Sequence, residues 1–97
     1  RVLVYSGDTG PCQALDDAAR DADLLLAEAS FCEGVENPPE IHLTGADCGR
    51  TAATAQVGRL VLTHIPPWHD KEQALREARS VWDGQVDLAS AGATYQV

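Results

Sequence analysis

Short apolar runs rich in β-branched and aliphatic residues alternate with helical apolar stripes along this chain, and this alternation limits its fold more than any other feature. The strand-like runs are residues 2–5, 24–27, 60–62, 86–89 and 93–97, and the helical stripes follow Pro11, Thr44 and Asp70. Strands that alternate with helices indicate right-handed βαβ units and a sheet that is largely parallel at least through its third strand. The pattern therefore predicts an α/β fold.

The length allows one small domain and no more. The chain has 97 residues and a mass of 10.3 kDa, and a chain of this size buries about 60 to 65% of its unfolded surface, which suffices for one two-layer core. We interpret residues 1–97 as a single fragment. Because the first strand-like run begins directly after Arg1, with no initiator Met, we expect the fragment to come from a longer chain.

Composition excludes several classes of protein. The chain carries 7 basic and 15 acidic side chains, with a formal net charge of -8, whereas nucleic-acid binding depends on Lys and Arg. Nucleic acid is therefore not the expected partner of these residues. No apolar run approaches the ~20 residues that span a bilayer, so we expect no membrane partner. Three widely spaced cysteines without a Cys-x-x-Cys pair favour buried thiols in a cytoplasmic protein over a disulfide framework.

Polar side chains recur where the predicted parallel strands end. Asp8, Glu28 and His64 follow the first, second and third strands, and His42 lies in a turn. In parallel sheets, ligand chemistry gathers at this edge. Carboxylate and imidazole suit divalent zinc, manganese or iron, and a bridging Asp can hold two ions about 3.5 to 4 Å apart. Alternatively, Asp8 is a turn former and His64 a strand-end histidine bonded to backbone.

Four short motifs follow one another along the chain. They are Ser6-Gly7-Asp8-Thr9, Glu28-Ala29-Ser30-Phe31, His42-Leu43-Thr44 before a helix with Ala52-Ala53, and Leu62-Thr63-His64. In this order they resemble the motifs of the metallo-β-lactamase-fold hydrolases, and the similarity is greatest to the branch related to ribonuclease Z and to phosphodiesterases that act on cyclic nucleotides. The resemblance implies that the chain is the C-terminal half of an αββα sandwich, in the order β-α-β-α-β-α-β-β.

The resemblance implies a role for each candidate residue. Asp8 matches the aspartate that bridges two metal ions, and His64 matches the last metal-binding histidine. Glu28 and His42 match the catalytic pair of the ribonuclease Z branch, in which the histidine donates a proton to the leaving oxygen and an acidic residue orients it. The cofactors implied are two divalent ions, zinc first, with manganese or iron as alternatives.

Two departures from the family pattern affect the functional hypothesis. The family's His-x-His-x-Asp-His motif is absent, so most metal ligands are missing and we expect the isolated fragment to be inactive. Ribonuclease Z proteins tend to carry a Ser and a basic or aromatic pair after the last histidine, whereas this chain has Ile65-Pro66-Pro67-Trp68. Together with the acidic charge, this change favours a small phosphodiester over tRNA.

The leading hypothesis is a binuclear metal-dependent phosphodiesterase that hydrolyses a small phosphodiester such as a cyclic nucleotide. The alternatives are a tRNA 3′-processing endonuclease of the ribonuclease Z type, a lactone or thioester hydrolase of the same fold, and a non-catalytic fragment that self-associates as a homodimer through an exposed apolar face. For the loop residues, Trp68 is expected to wall a substrate pocket and His69 to be a surface histidine, while Trp82 is expected in the core.

Overall fold

The computed structural model describes residues 1–34 and 41–97, so the middle of the long loop predicted between Ser30 and His42 lies outside the described residues. In that part of the chain, no helix is long and apolar enough to cross a membrane. The elements, in chain order, are β1 (Leu3–Tyr5), α1 (Gln13–Ala19), β2 (Leu24–Glu28), α2 (Gly45–Ala55), β3 (Arg59–Thr63), α3 (Lys71–Val81) and β4 (Gln85–Leu88).

The four strands form one parallel sheet in the order β1-β2-β3-β4, which confirms the predicted α/β fold. Leu25, Leu60 and Val86 are register partners across β2, β3 and β4, and all three belong to the buried core together with residues of every helix. Because each right-handed crossover returns over the same face, the helices cover one face of the sheet. All four strands therefore end at the same edge.

Helices α2 and α3 pack unusually closely because α2 presents glycines to its neighbour. A Cβ atom added at Gly49 would lie 2.7 Å from the carbonyl oxygen of Ala78, and one added at Gly45 would overlap the backbone of Ala74. Both alanines are buried. The two helices thus approach at backbone distance, and a larger side chain at either glycine would force them apart.

The N-terminus of α2 agrees with the sequence prediction, and its C-terminus differs from it. Thr44 accepts a hydrogen bond from the backbone N–H of Asp47, whose carboxylate accepts one from the N–H of Thr44, so the predicted capping box is present. The helix was expected to end at Gly58. It ends at Ala55, because Gln56 itself adopts the left-handed conformation, with φ of 56°, that closes the last turn.

The fifth strand expected at residues 93–97 is not formed, so the order ends at β4 and the final β of the predicted β-α-β-α-β-α-β-β series is wrong. Gly92 has φ of 81° and turns the chain out of the β4 direction. The Tyr95 hydroxyl then donates to the carbonyl oxygen of Leu88 at 2.9 Å, and the Arg59 guanidinium lies 5.4 Å from its ring centroid. The terminal segment therefore packs on the sheet face opposite the helices.

The cysteines differ from one another in burial. Cys48 is fully buried on α2, and burial raises the pKa of its thiol, whereas Cys32 is half-buried and Cys12 is exposed. The expectation of buried thiols is met fully only at Cys48. Trp82, expected in the core, is partly buried and packs against it.

Replacing Thr44 with Ala should lower the free energy of unfolding by about 0.5 to 2 kcal/mol, because the first turn of α2 loses one half of its capping box. The matched control is Thr54→Ala, an exposed position within the same helix, where we expect no loss. Urea denaturation followed by circular dichroism measures both. Equal stabilities of the two variants would contradict the role given to the cap.

Candidate active site

Glu28 ends β2 as a buried carboxylate, with 4% of its surface exposed. The Tyr5 hydroxyl at the end of β1 donates a hydrogen bond to Oε2. On the other side, the His64 Nδ1 atom lies 3.6 Å from Oε1, close enough for a charge contact but beyond hydrogen-bond length. A buried carboxylate needs such partners because desolvation of its charge is costly. Glu28 therefore connects the ends of three adjacent strands.

The contact with Glu28 changes the pKa of the Tyr5 hydroxyl. Its pKa is raised, first because it donates a hydrogen bond to Glu28, and further because of partial burial and the negative charges of Glu28 and Asp8. Asp8 lies exposed on the turn after β1. Its carboxylate is one of the negative charges that raise the pKa of Tyr5.

His64 follows β3 in a strained backbone conformation. Its φ of 53° lies in the left-handed region, which non-glycine residues adopt at a cost of about 1 to 3 kcal/mol when the surroundings fix them there. The buried Ser30 hydroxyl donates to the carbonyl oxygen of His64 at 2.9 Å and holds this conformation. The imidazole itself is 62% exposed and therefore accessible to a ligand.

His42 is positioned by the segment that follows β2. The Phe31 N–H donates to the carbonyl oxygen of Leu43 at 3.0 Å, and Phe31 forms an isolated parallel bridge with Thr44. The imidazole of His42 packs edge-on against the Phe31 ring, with centroids 4.9 Å apart and planes at 85°. Among the described residues, Glu28 contacts His64 and not His42, so the predicted orientation of His42 by an acidic residue is not seen here.

A cavity of about 340 Å³ opens beside these residues, and its size falls within the range of small-molecule sites. His42 and His64 line it, whereas Asp8 and Glu28 do not. Trp68 walls the cavity as predicted. His69 was expected to be a surface histidine, but it is partly buried and lines the same cavity. The remaining lining residues are Ser30, Phe31 and Pro66.

Enclosed polar atoms without a hydrogen-bond partner concentrate at this edge of the sheet. Within the described ranges there are four, and three of them are Glu28 Oε1, His42 Nδ1 and His69 Nδ1; the fourth is Glu77 Oε1 on α3. Native structures leave few buried polar atoms unpartnered, because each costs about 1 to 3 kcal/mol. Two of the four atoms, on His42 and His69, belong to residues that line the cavity, and a third belongs to Glu28 next to His64, so unpartnered polar atoms that a ligand could contact cluster at this edge of the sheet.

The donors present fit part of a metal site. Asp8 and His64 are both exposed, and their oxygen and nitrogen atoms are the ligands that zinc, manganese and iron accept. The Oε1 atom of Glu28 lies 3.6 Å from Nδ1 of His64, next to the ring nitrogen other than Nε2. However, no group of three such side chains converges among residues 1–34 and 41–97, so the described donor set is incomplete.

Comparisons with known proteins agree with this geometry. An uncharacterized protein of Mycobacterium leprae is 47% identical over 95 residues, which cover 98% of this chain and 34% of that protein. Ribonuclease Z of Myxococcus xanthus is 43% identical over 101 residues, which cover all of this chain and 33% of that protein. The crystal structure of the metallo-β-lactamase fold protein YhfI from Bacillus subtilis matches with a TM-score of 0.87 at 30% identity, covering 94% of this chain and 38% of that chain. No family model matches the chain.

The chain therefore has the fold of part of a metallo-β-lactamase-fold protein, and the resemblance inferred from its four motifs is confirmed. The matching Bacillus subtilis protein also carries the name probable metallo-hydrolase. The chain spans about a third of the length of these relatives. That residues 1–97 are the C-terminal half of such a domain stays a prediction.

Replacing Ser30 with Ala should lower the free energy of unfolding by about 1 kcal/mol, because the His64 carbonyl loses its hydrogen bond and the left-handed backbone loses its restraint. Ser80→Ala is the matched control. Its hydroxyl also donates to a backbone carbonyl, that of Glu77 at 2.6 Å, but on an exposed helix surface, where we expect less than about 0.5 kcal/mol. Chemical denaturation of the two variants checks the difference; indistinguishable values would mean that Ser30 does not restrain His64.

Proposed function

We propose that this chain forms part of the active site of a metal-dependent hydrolase, and specifically of a phosphodiesterase that acts on a small phosphodiester such as a cyclic nucleotide. The observation that supports this most directly is the cavity that both His42 and His64 line, together with the buried carboxylate of Glu28 next to His64. Two relatives, named ribonuclease Z and probable metallo-hydrolase, support hydrolysis as the reaction class.

In this proposal Asp8 and His64 hold metal, and Glu28 orients His64. Divalent ions, when bound, supply a Lewis acid that activates water and neutralises charge at the phosphoryl oxygens. Zinc is the first candidate, with manganese and iron as alternatives. The contact between Glu28 and His64 Nδ1 leaves Nε2 as the imidazole nitrogen available to a metal.

His42 is the proposed proton donor to the leaving oxygen. Its Nδ1 is enclosed, so Nε2 is the nitrogen that can reach a substrate in the cavity. Departure of an alkoxide requires a proton at that oxygen, and a positioned imidazole that supplies one accelerates such reactions about 10²- to 10⁴-fold. The edge-on contact with Phe31 fixes the plane of the ring without occupying either nitrogen.

The acidic net charge of the chain favours a small substrate over tRNA. The chain has 15 acidic and 7 basic residues, and phosphate-backbone contacts require Lys and Arg. The name of the Myxococcus xanthus relative nevertheless supports tRNA 3′-processing as the second candidate. Lactone or thioester hydrolysis is a third, in which Glu28 and His42 would have no leaving-group role.

A substrate panel on the complete gene product separates these candidates. We expect cleavage of a cyclic nucleotide and of bis-(p-nitrophenyl) phosphate, little cleavage of a tRNA precursor, and none of a thioester. Cleavage of the thioester alone would contradict phosphodiester chemistry. Preference for the tRNA precursor would favour the second candidate.

His42→Ala in the complete gene product should reduce turnover of a cyclic nucleotide about 10²- to 10⁴-fold while leaving the metal content unchanged. The loss should be much smaller with bis-(p-nitrophenyl) phosphate, because p-nitrophenolate departs without a proton. Steady-state kinetics and elemental analysis of the purified protein measure the two quantities. His64→Ala is the contrasting variant, for which we expect metal to be lost. Loss of metal from the His42 variant would sink its assignment as proton donor.

The oligomeric state and the location are also proposals. Leu3 and Tyr5 of β1 are more than half exposed on or beside the sheet face that no helix covers, and an uncovered apolar face favours association. We propose a homodimer in the cytoplasm, with no membrane partner. A sedimentation experiment on the complete gene product that gives a clean monomer would remove the dimer.

A further inference from the structure

We propose that Trp68 and His69 form a stacking subsite for the base of a nucleotide, in the cavity that His42 and His64 also line. This inference rests on the proposed function, since it names the part of the substrate that lies beyond the scissile phosphate. Trp68 and His69 belong to the loop after β3. The catalytic and metal-binding roles proposed above do not involve them.

The exposure of Trp68 is the first observation. Its side chain lines the cavity, yet Trp68 is 79% exposed, the most exposed large hydrophobic residue among those the structure describes. An indole left in water at the wall of a cavity loses the apolar burial that tryptophan normally gains on folding. A planar ligand ring stacked on the indole would restore that burial.

The position of Trp68 is fixed rather than random. Pro66 and Pro67 restrict the backbone of the loop, and the N–H of His69 donates to the carbonyl oxygen of Pro66 at 2.9 Å. The imidazole of His69 lies edge-on to the indole, with centroids 6.0 Å apart and planes at 80°. The indole is thus presented to the cavity by a closed turn, which reduces the entropy lost when a ligand stacks on it.

The same cavity holds the polar groups that a nucleotide requires. His42 and His64 line it together with Trp68 and His69, so a base at Trp68 and a phosphodiester at His42 can belong to one molecule. The unpartnered Nδ1 of His69 supplies a polar atom next to the stacking surface. An alkyl phosphodiester would use the histidines and leave the indole uncovered, whereas a nucleotide uses both.

Binding of two probes to the complete gene product tests the subsite without catalysis. Adenosine 5′-monophosphate carries a base, ribose 5-phosphate does not, and isothermal titration calorimetry measures both. Trp68→Leu should weaken adenosine 5′-monophosphate binding roughly 5- to 150-fold, the range expected for loss of one stacking contact, and leave ribose 5-phosphate unchanged. Trp68→Phe retains a stacking face, so its loss should be smaller.

Trp82→Phe is the control, because Trp82 lies at the end of α3, outside the residues that line the cavity, and should leave both affinities unchanged. Equal weakening of both probes by Trp68→Leu, or no weakening of adenosine 5′-monophosphate, overturns the subsite. A base contributed by RNA is the other source of the same chemistry. If binding of a tRNA precursor depends on Trp68 and binding of adenosine 5′-monophosphate does not, the proposal is also overturned.

Failure of the subsite and failure of the proposed function give different results. If the complete gene product cleaves cyclic nucleotides and Trp68→Leu leaves KM unchanged, the function stands and the subsite is wrong. If it cleaves no phosphodiester but adenosine 5′-monophosphate binding still depends on Trp68, the subsite stands and the phosphodiesterase proposal is wrong.

Discussion

The buried carboxylate of Glu28 is the constraint on which the functional edge of this structure depends. A charge with 4% exposure at the end of a central strand is tolerated only with partners, and its partners come from both neighbouring strands: Tyr5 after β1 and His64 after β3. One carboxylate therefore contacts the ends of both neighbouring strands, through a hydrogen bond at Oε2 and a charge contact at Oε1. The strained His64 backbone, held by Ser30, completes this local order and presents an exposed imidazole beside the cavity.

The sheet itself is covered unequally on its two faces. On one face, α2 and α3 pack at backbone distance because Gly45 and Gly49 meet Ala74 and Ala78, and the core lies beneath them. On the other face, a short terminal segment anchored by Tyr95 covers only part of the apolar surface. Parallel sheets are normally covered on both faces. The architecture is thus that of a part of the metallo-β-lactamase fold, in agreement with the third of the relatives' length that the chain spans.

The cavity is lined by residues from two parts of the structure. His64 lines it from the end of β3, and His42 lines it from the segment just before α2. Its outer wall comes from the loop of Trp68 and His69, which contributes aromatic surface and one further unpartnered nitrogen. Residues held by strand ends and by a helix start thus face residues of a proline-restricted loop across one cavity, and loops of this kind vary more readily than the elements that they connect.

Local signals in the sequence determined the order of the elements and the caps of two helices. The apolar runs marked β1 to β4, Thr44 and Asp47 predicted the capping box, and Asp70 predicted the start of α3, because these features depend on residues close together in the chain. The placement of Asp8, Glu28 and His64 at one edge also followed from parallel topology alone. Only the tertiary structure decided that Glu28 faces His64 rather than His42, that His69 lines the cavity, and that residues 93–97 cross the open face instead of adding a strand. Each of these depends on contacts between residues distant in sequence, about which local periodicity carries no information.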